Sequence, residues 1–173
     1  MAPSLQHGLS REDSMKTNRI LVPLDGSELA EAALADAFDL AARDEAVVML
    51  MRAAEARVLP GGDPILAEVE AVAEAEKYLT DLKAKLDGRG FRNVETHVWY
   101  GTPAAAIIEA VGYYKADLIV MSTHGRSGIG RLIFGSVAES VLRGTSTPIF
   151  LRRPSEALVN LPALTMQPKE VHR

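Results

Sequence analysis

Asp117 to Arg143 reads DLIVMSTHGRSGIGRLIFGSVAESVLR, and the fold of the chain turns on how this stretch is read. It opens on Leu118 to Met121, a short apolar run of the length and branching that suit a buried strand. A loop carrying four glycines follows: Gly125, Gly128, Gly130 and Gly135. Ser136-Val137-Ala138-Glu139 then forms a capping-box sequence, which predicts a helix start with Ser136 as the cap. Strand, glycine loop and helix N-terminus together make a recipe for holding phosphate. Glycines let a ligand approach main-chain N–H groups closely, and the first amides of a helix lack intrahelical partners and carry the positive end of its dipole. Arg126 and Arg131 add formal charge to the same loop, although paired arginines also occur simply as solvated loop charges.

The spacing separates this loop from two common phosphate sites. A P-loop requires a Gly-Lys pair, and none occurs in the chain. The dinucleotide fingerprint G-x-G-x-x-G should follow the first strand, whereas Gly125 to Gly130 runs in the opposite order after a late strand.

Working outward, the remaining chain alternates strand and helix signals. Ile20 to Leu24 reads as a first buried strand, with Pro23 near its end, where a missing N–H is tolerable. Asp25-Gly26-Ser27 is a turn, with Ser27 capping an amphipathic helix from Glu28 to Ala42. Ala46 to Ala53 is a second buried strand. Pro60-Gly61-Gly62 punctuates a loop, and Asp63-Pro64 starts a long helix running to about Leu86. Asn93 to Tyr100 alternates like a strand nearer the sheet edge. Gly101-Thr102-Pro103 turns into a helix over about Ala104 to Tyr114. After the glycine loop and the helix ending near Arg143, Thr147 to Arg152 is a fifth strand. Strands alternating with helices over short connections imply an α/β fold, a parallel sheet covered on both faces. Residues 1–18 are polar and aperiodic, which predicts a flexible tail. The domain spans 19–153, and 154–173, with three prolines, reads as a loose or partner-docking extension.

Composition narrows the function. Nineteen basic against 23 acidic residues give a net charge of −4, which argues against a general nucleic-acid binder. The absence of cysteine removes disulfides, thiolate metal sites and cysteine nucleophiles. No apolar stretch approaches the ~20 residues of a membrane span, and no signal-peptide core is present, so a cytoplasmic location is the expectation.

The loop resembles the ATP-binding signature of the universal stress protein family, G-x2-G-x9-G-[ST]. Gly125, the nine residues Arg126 to Phe134, and Gly135-Ser136 match its second half, and Ser122 stands where the signature has its first glycine. Pro23-Leu24-Asp25-Gly26-Ser27 resembles the family's opening motif. The resemblance covers about Arg19 to Arg153. It implies a doubly wound five-stranded sheet of order 3-2-1-4-5, with the switch point between the first and fourth strands. It also implies that Pro23 and Asp25 lie by the nucleoside, with Asp25 at a ribose hydroxyl, and that the Ala53 backbone meets adenine. Ser122, His124, Gly125 and Gly128 would then flank ribose and phosphates, and Gly135, Ser136 and Val137 would close on the phosphate chain.

Bland readings stand beside these. Asp-Gly is a frequent turn pair. His124 has no acid or nucleophile partner fixed beside it in sequence, which favours a structural or ligand-edge role over a catalytic one. His97 reads as packing or surface, and the acids from Glu68 to Glu76 as the exposed face of a helix. The function expected is a nucleotide-dependent regulator holding ATP, with Mg²⁺ or Mn²⁺ bound through the phosphates and no independent metal site. Two alternatives remain open: a slow ATP hydrolase, and a nucleotide-free dimer acting by protein contact. The terminal strand lies at a sheet edge in the implied order, which predicts a homodimer through it. A regulatory protein partner is expected but not named by the sequence.

Overall fold

In the computed structural model, which describes residues 16–123 and 135–153, each apolar run becomes a strand. These are β1 (Arg19–Pro23), β2 (Val47–Ala54), β3 (Val94–Tyr100), β4 (Leu118–Ser122) and β5 (Ile149–Arg152). Between them lie α1 (Glu28–Glu31), α2 (Ala33–Asp44), α3 (Pro64–Gly88), α4 (Pro103–Tyr114) and α5 (Ser136–Gly144). The strands are ordered β3-β2-β1-β4-β5, and every pairing is parallel. This is the doubly wound sheet that the sequence predicts, in the order that the resemblance implies.

Strand periodicity sorts the core into two layers. Successive side chains of a strand point to opposite faces. Ile20 and Val22 of β1, Val48 and Leu50 of β2, and Val120 of β4 therefore pack against Leu34 and Phe38 of α2 and Leu79, Leu82 and Leu86 of α3. Leu21, Met49, Met51, Ile119 and Met121 face the other way, onto Ile107 and Val111 of α4 and Ala138 and Val141 of α5. Fully burying one such side chain contributes about 1.5–3 kcal/mol. Both faces of the central strands are thus committed to packing, and the ends of the sheet are left for binding.

Local chemistry sets the boundaries. The Ser27 side chain accepts from Ala30 N–H, and Asp63 accepts from Ile65 and Leu66 N–H, so these two residues cap their helices. The helix expected over Glu28 to Ala42 is instead two segments meeting at Ala32, which keeps right-handed angles, and it runs on to Asp44. Glu45 ends it in the left-handed region (φ 58°), with Ala46 N–H closing on Ala41 C=O at 3.0 Å. Thr102 is the residue before α4, yet its side chain makes no capping bond.

The larger correction concerns α5. Gly135, not Ser136, is its N-cap, and Ser136 is the first helical residue. Glu139 N–H donates to Gly135 C=O at 2.9 Å. The Glu139 carboxylate, which a capping box would send back to the N-terminus, instead pairs forward with Arg143 at 2.9 Å. A cap must take extended angles, and Gly135 does so (φ −59°, ψ 150°), so its position at the end of the loop wins over the serine beside it.

The residues just ahead of β1, placed in the tail by the sequence reading, are anchored in the structure, as is the first residue of the strand. Thr17 N–H donates to Asp44 at 2.9 Å, and the amides of Asn18 and Arg19 both donate to Asp117 at 2.7 and 2.9 Å. Among the described residues, no helix is long and apolar enough to cross a membrane.

Candidate nucleotide site

In a parallel doubly wound sheet the strands all end on one side, and a crevice opens where the connections diverge to opposite faces. Here β1 connects to helices on one face and β4 to α5 on the other. A cleft of about 850 Å³ lies at that point, within the roughly 300–1,000 Å³ usual for small-molecule sites. Its floor is the ends of β1, β2 and β4. The N-terminus of α5 forms one side, and Ala67, Glu70, Ala71 and Glu74 of α3 another.

The end of β2 supplies main chain. Strand β1 stays in register with β2 only to Pro23 opposite Met51, and Leu24 N–H then donates to Met51 C=O at 2.8 Å. Strand β2 continues beside β3 to Ala54. Peptide groups two residues apart on a strand point the same way, so those of Ala53 project, like Met51 C=O, toward the side that β1 has left. That side is the cleft. A base edge can be met by such a peptide whatever the side chain, which makes alanine sufficient.

The end of β1 supplies a carboxylate. Asp25 Oδ1 accepts from Ser27 N–H at 2.9 Å and from Ser27 Oγ at 2.6 Å, while Gly26 sits at φ +87°. The turn reading of Asp25 is therefore correct, and the same residue also lines the cleft beside Pro23 and Leu24.

The end of β4 supplies a hydroxyl. Ser122 Oγ is buried and has no hydrogen-bond partner, alone among the side-chain polar atoms of the described residues, and Ser122 lines the cleft. An unsatisfied buried hydroxyl costs roughly 1–3 kcal/mol, and a polar ligand atom would remove that cost. Across from it Gly135, Ser136, Val137 and Ala138 line the cleft with the first turn of α5, the end of a helix suited to anions.

The structure thus brings Pro23, Asp25, Ala53, Ser122, Gly135, Ser136 and Val137 to one cleft. His124, Gly125 and Gly128 lie outside the described residues. His97 is elsewhere, its ring centred 4.0 Å from that of Tyr114 and tilted 31° to it, with Nε2 3.2 Å from Glu95 Oε2, in keeping with packing.

Sequence reading missed the charged group on the α3 side. Arg52 and Glu74 pair at 2.8 Å on the cleft wall, so Glu74, on the exposed helix face as expected, also lines the cleft. Tyr78 lies beneath, its hydroxyl donating to Glu31 at 2.8 Å. Burial, reinforced by the Glu31 carboxylate, pushes the Tyr78 phenol well above its usual range. The signal available was Arg52 itself, a charge at the end of an otherwise apolar strand. Among the described residues no three His, Asp or Glu side chains converge as a metal cage.

Comparison with known proteins agrees with this architecture. The model of the universal stress protein family matches residues 16–153. Universal stress protein MJ0531 of Methanocaldococcus jannaschii is 30% identical over 137 residues, covering 77% of this chain and 80% of that protein. A crystal structure of a protein from the same family from Burkholderia pseudomallei is 29% identical with a TM-score of 0.64, covering 80% of this chain and 97% of that one. A universal stress protein crystallised in complex with cAMP is 24% identical with a TM-score of 0.59, covering 81% and 99%, and shares the fold.

Proposed function

The chain belongs to the universal stress protein family, and on that footing we propose that it binds ATP in the switch-point cleft and acts as a nucleotide-dependent regulator in the response to stress. The observation that carries the reading is Ser122 Oγ, a buried hydroxyl without a partner, set between a carboxylate and a helix N-terminus in a cleft of about 850 Å³. In this reading the Ala53 peptide pairs with the adenine edge, Asp25 accepts from a ribose hydroxyl, and Ser122 bonds the sugar or its first phosphate. The amides and hydroxyl at the start of α5 hold the phosphate chain, together with His124, Gly125 and Gly128 from the loop. Mg²⁺ or Mn²⁺ is carried by phosphate oxygens and water, since such ions keep much of their hydration when held by nucleotides.

In this reading the nucleotide is held rather than turned over: phosphoryl transfer would need a positioned nucleophile and charge clamps, and each role assigned above is one of binding. A homodimer through β5 completes the proposal, because β5 pairs on one side with β4 and forms the edge of the sheet.

Calorimetric titration with ATP and Mg²⁺ tests the reading. Saturable binding at one nucleotide per chain is expected, weakened in Asp25→Ala. No heat, and no displacement of a labelled ATP, would sink it.

A further inference from the structure

Arg52 is a cleft-lining group to which the reading above gives no part. Strand alternation turns it away from Met51 and Ala53, onto the face covered by α3, where its side chain is 17% exposed. Three contacts hold it there. Arg52 Nη2 donates to Glu74 Oε1 of α3 at 2.8 Å. The guanidinium carbon lies 4.8 Å from the centre of the Tyr78 ring, and that ring is tied through its hydroxyl to Glu31 of α1. Finally, a β-carbon built on Gly26 would stand 3.1 Å from Arg52 Nη1 and 3.5 Å from its Cζ. The planar group therefore passes directly against the backbone of the Asp25-Gly26-Ser27 turn.

This arrangement does little for stability as an ion pair. Glu74 is 73% exposed, and a pair with one solvated partner is weak. Its geometric effect is larger. Gly26, at φ +87° and without a side chain, sits at the middle of the turn, and Arg52 fills the space beneath it. The Asp25 carboxylate is locked to the same turn by its two bonds to Ser27, so support of Gly26 is support of that carboxylate. A guanidinium suits this task because it is flat, always charged and bonded in a fixed fork.

We propose that Arg52 is a positioning residue that sets the cleft's selectivity for ribose hydroxyls, by holding the Asp25 turn against α3. The inference rests on the nucleotide reading of the cleft. Hydrogen bonds weaken steeply with misalignment, so a turn free to shift would still admit a nucleotide but would no longer distinguish a sugar bearing its hydroxyls from one lacking them.

The test compares affinities for ATP, 2′-deoxy-ATP, 3′-deoxy-ATP and inorganic tripolyphosphate in the full chain, in Arg52→Met and in Arg52→Lys. The parent chain should prefer ATP over at least one deoxynucleotide by roughly tenfold, the range of a hydrogen bond to a charged group. In Arg52→Met, which keeps the apolar stem, the preference should fall toward unity while tripolyphosphate binds as before. Arg52→Lys, which keeps the charge, should retain part of the preference. An unchanged ratio in Arg52→Met overturns the proposal, as does an equal loss for all four ligands. A parent chain that binds ATP without sugar discrimination overturns this inference alone, and one that binds no nucleotide overturns the reading beneath it. If Arg52→Met does not fold, Arg52→Lys and Glu74→Gln supply the ratio, and no change in both overturns the proposal.

Discussion

Glu139 N–H donates to Gly135 C=O at 2.9 Å, and this bond fixes where α5 begins and therefore what Ser136 is available to do. A serine that caps a helix and a serine that receives a phosphate would compete for one hydroxyl. With Gly135 as the cap, Ser136 stands in the first turn, exposed at the cleft. Ser136→Ala should therefore cost under about 0.5 kcal/mol of stability, as for a surface substitution, where loss of a true cap costs about 1 kcal/mol. ATP binding should weaken by roughly tenfold. Denaturant unfolding and calorimetry on the same variant separate the two roles.

The edge strand is fastened to the sheet's opposite layer by charge. Arg152 of β5 donates to Asp36 of α2 at 2.5 Å, with side chains only 21% and 24% exposed. Removing one partner leaves the other charge largely buried and unpaired, which is more costly than losing a surface pair. Because the pair is about a fifth exposed, Arg152→Met should destabilise by less than a fully buried pair would, roughly 1–3 kcal/mol, and Arg152→Met with Asp36→Asn by less than the sum of the two changes. A double-mutant cycle from urea unfolding measures the difference.

Tyr78 predicts an alkaline limb of stability. Burial and the Glu31 carboxylate raise its folded-state pKa above the unfolded value of about 10. Below pH 10 both states hold the proton, and the contribution is fully present. Above pH 10 the unfolded chain releases the proton that the folded chain keeps, so stability falls as pH rises. Tyr78→Phe should be less stable than the parent near neutrality, having lost the bond to Glu31, and should show a shallower decline above pH 10. Midpoints of urea unfolding from pH 7 to 11 read both effects.

Phe150 lies 42% exposed on β5, the strand at the edge of the sheet. In the proposed dimer this surface is covered, and Phe150→Glu should shift sedimentation from a dimer toward the 18.7 kDa chain mass. A parent protein sedimenting only as monomer across micromolar concentrations would remove the dimer from the account.

Much of this architecture is legible in the sequence because burial on both faces leaves an unambiguous mark. Ile20 to Leu24, Ala46 to Met51 and Leu118 to Met121 are apolar without interruption, and each lies within two residues of an observed strand. Strand order was legible only through family resemblance, since pairing is a long-range choice that local pattern does not encode. The ends of elements were less readable. Ser136 carries the residue types of a capping box, yet backbone angles decide the cap, and a glycine stood one position earlier. Arg52 was invisible as a site residue for a different reason. Its neighbours Gly26, Glu74 and Tyr78 come from a turn and a helix far along the chain, and only the parallel register gathers them. His124, Gly125 and Gly128 of the glycine loop lie outside the described residues, so the phosphate end of the site stands on Gly135, Ser136 and Val137.

The most direct test of the central claim is to follow backbone amide resonances of the full chain during titration with ATP and Mg²⁺. The account predicts saturable shifts at the amides of Asp25, Ala53, Ser122, Ser136 and Val137, with β3 and the outer face of α4 unmoved. Saturable shifts confined to β3 or the outer face of α4, or none at millimolar nucleotide, would contradict it.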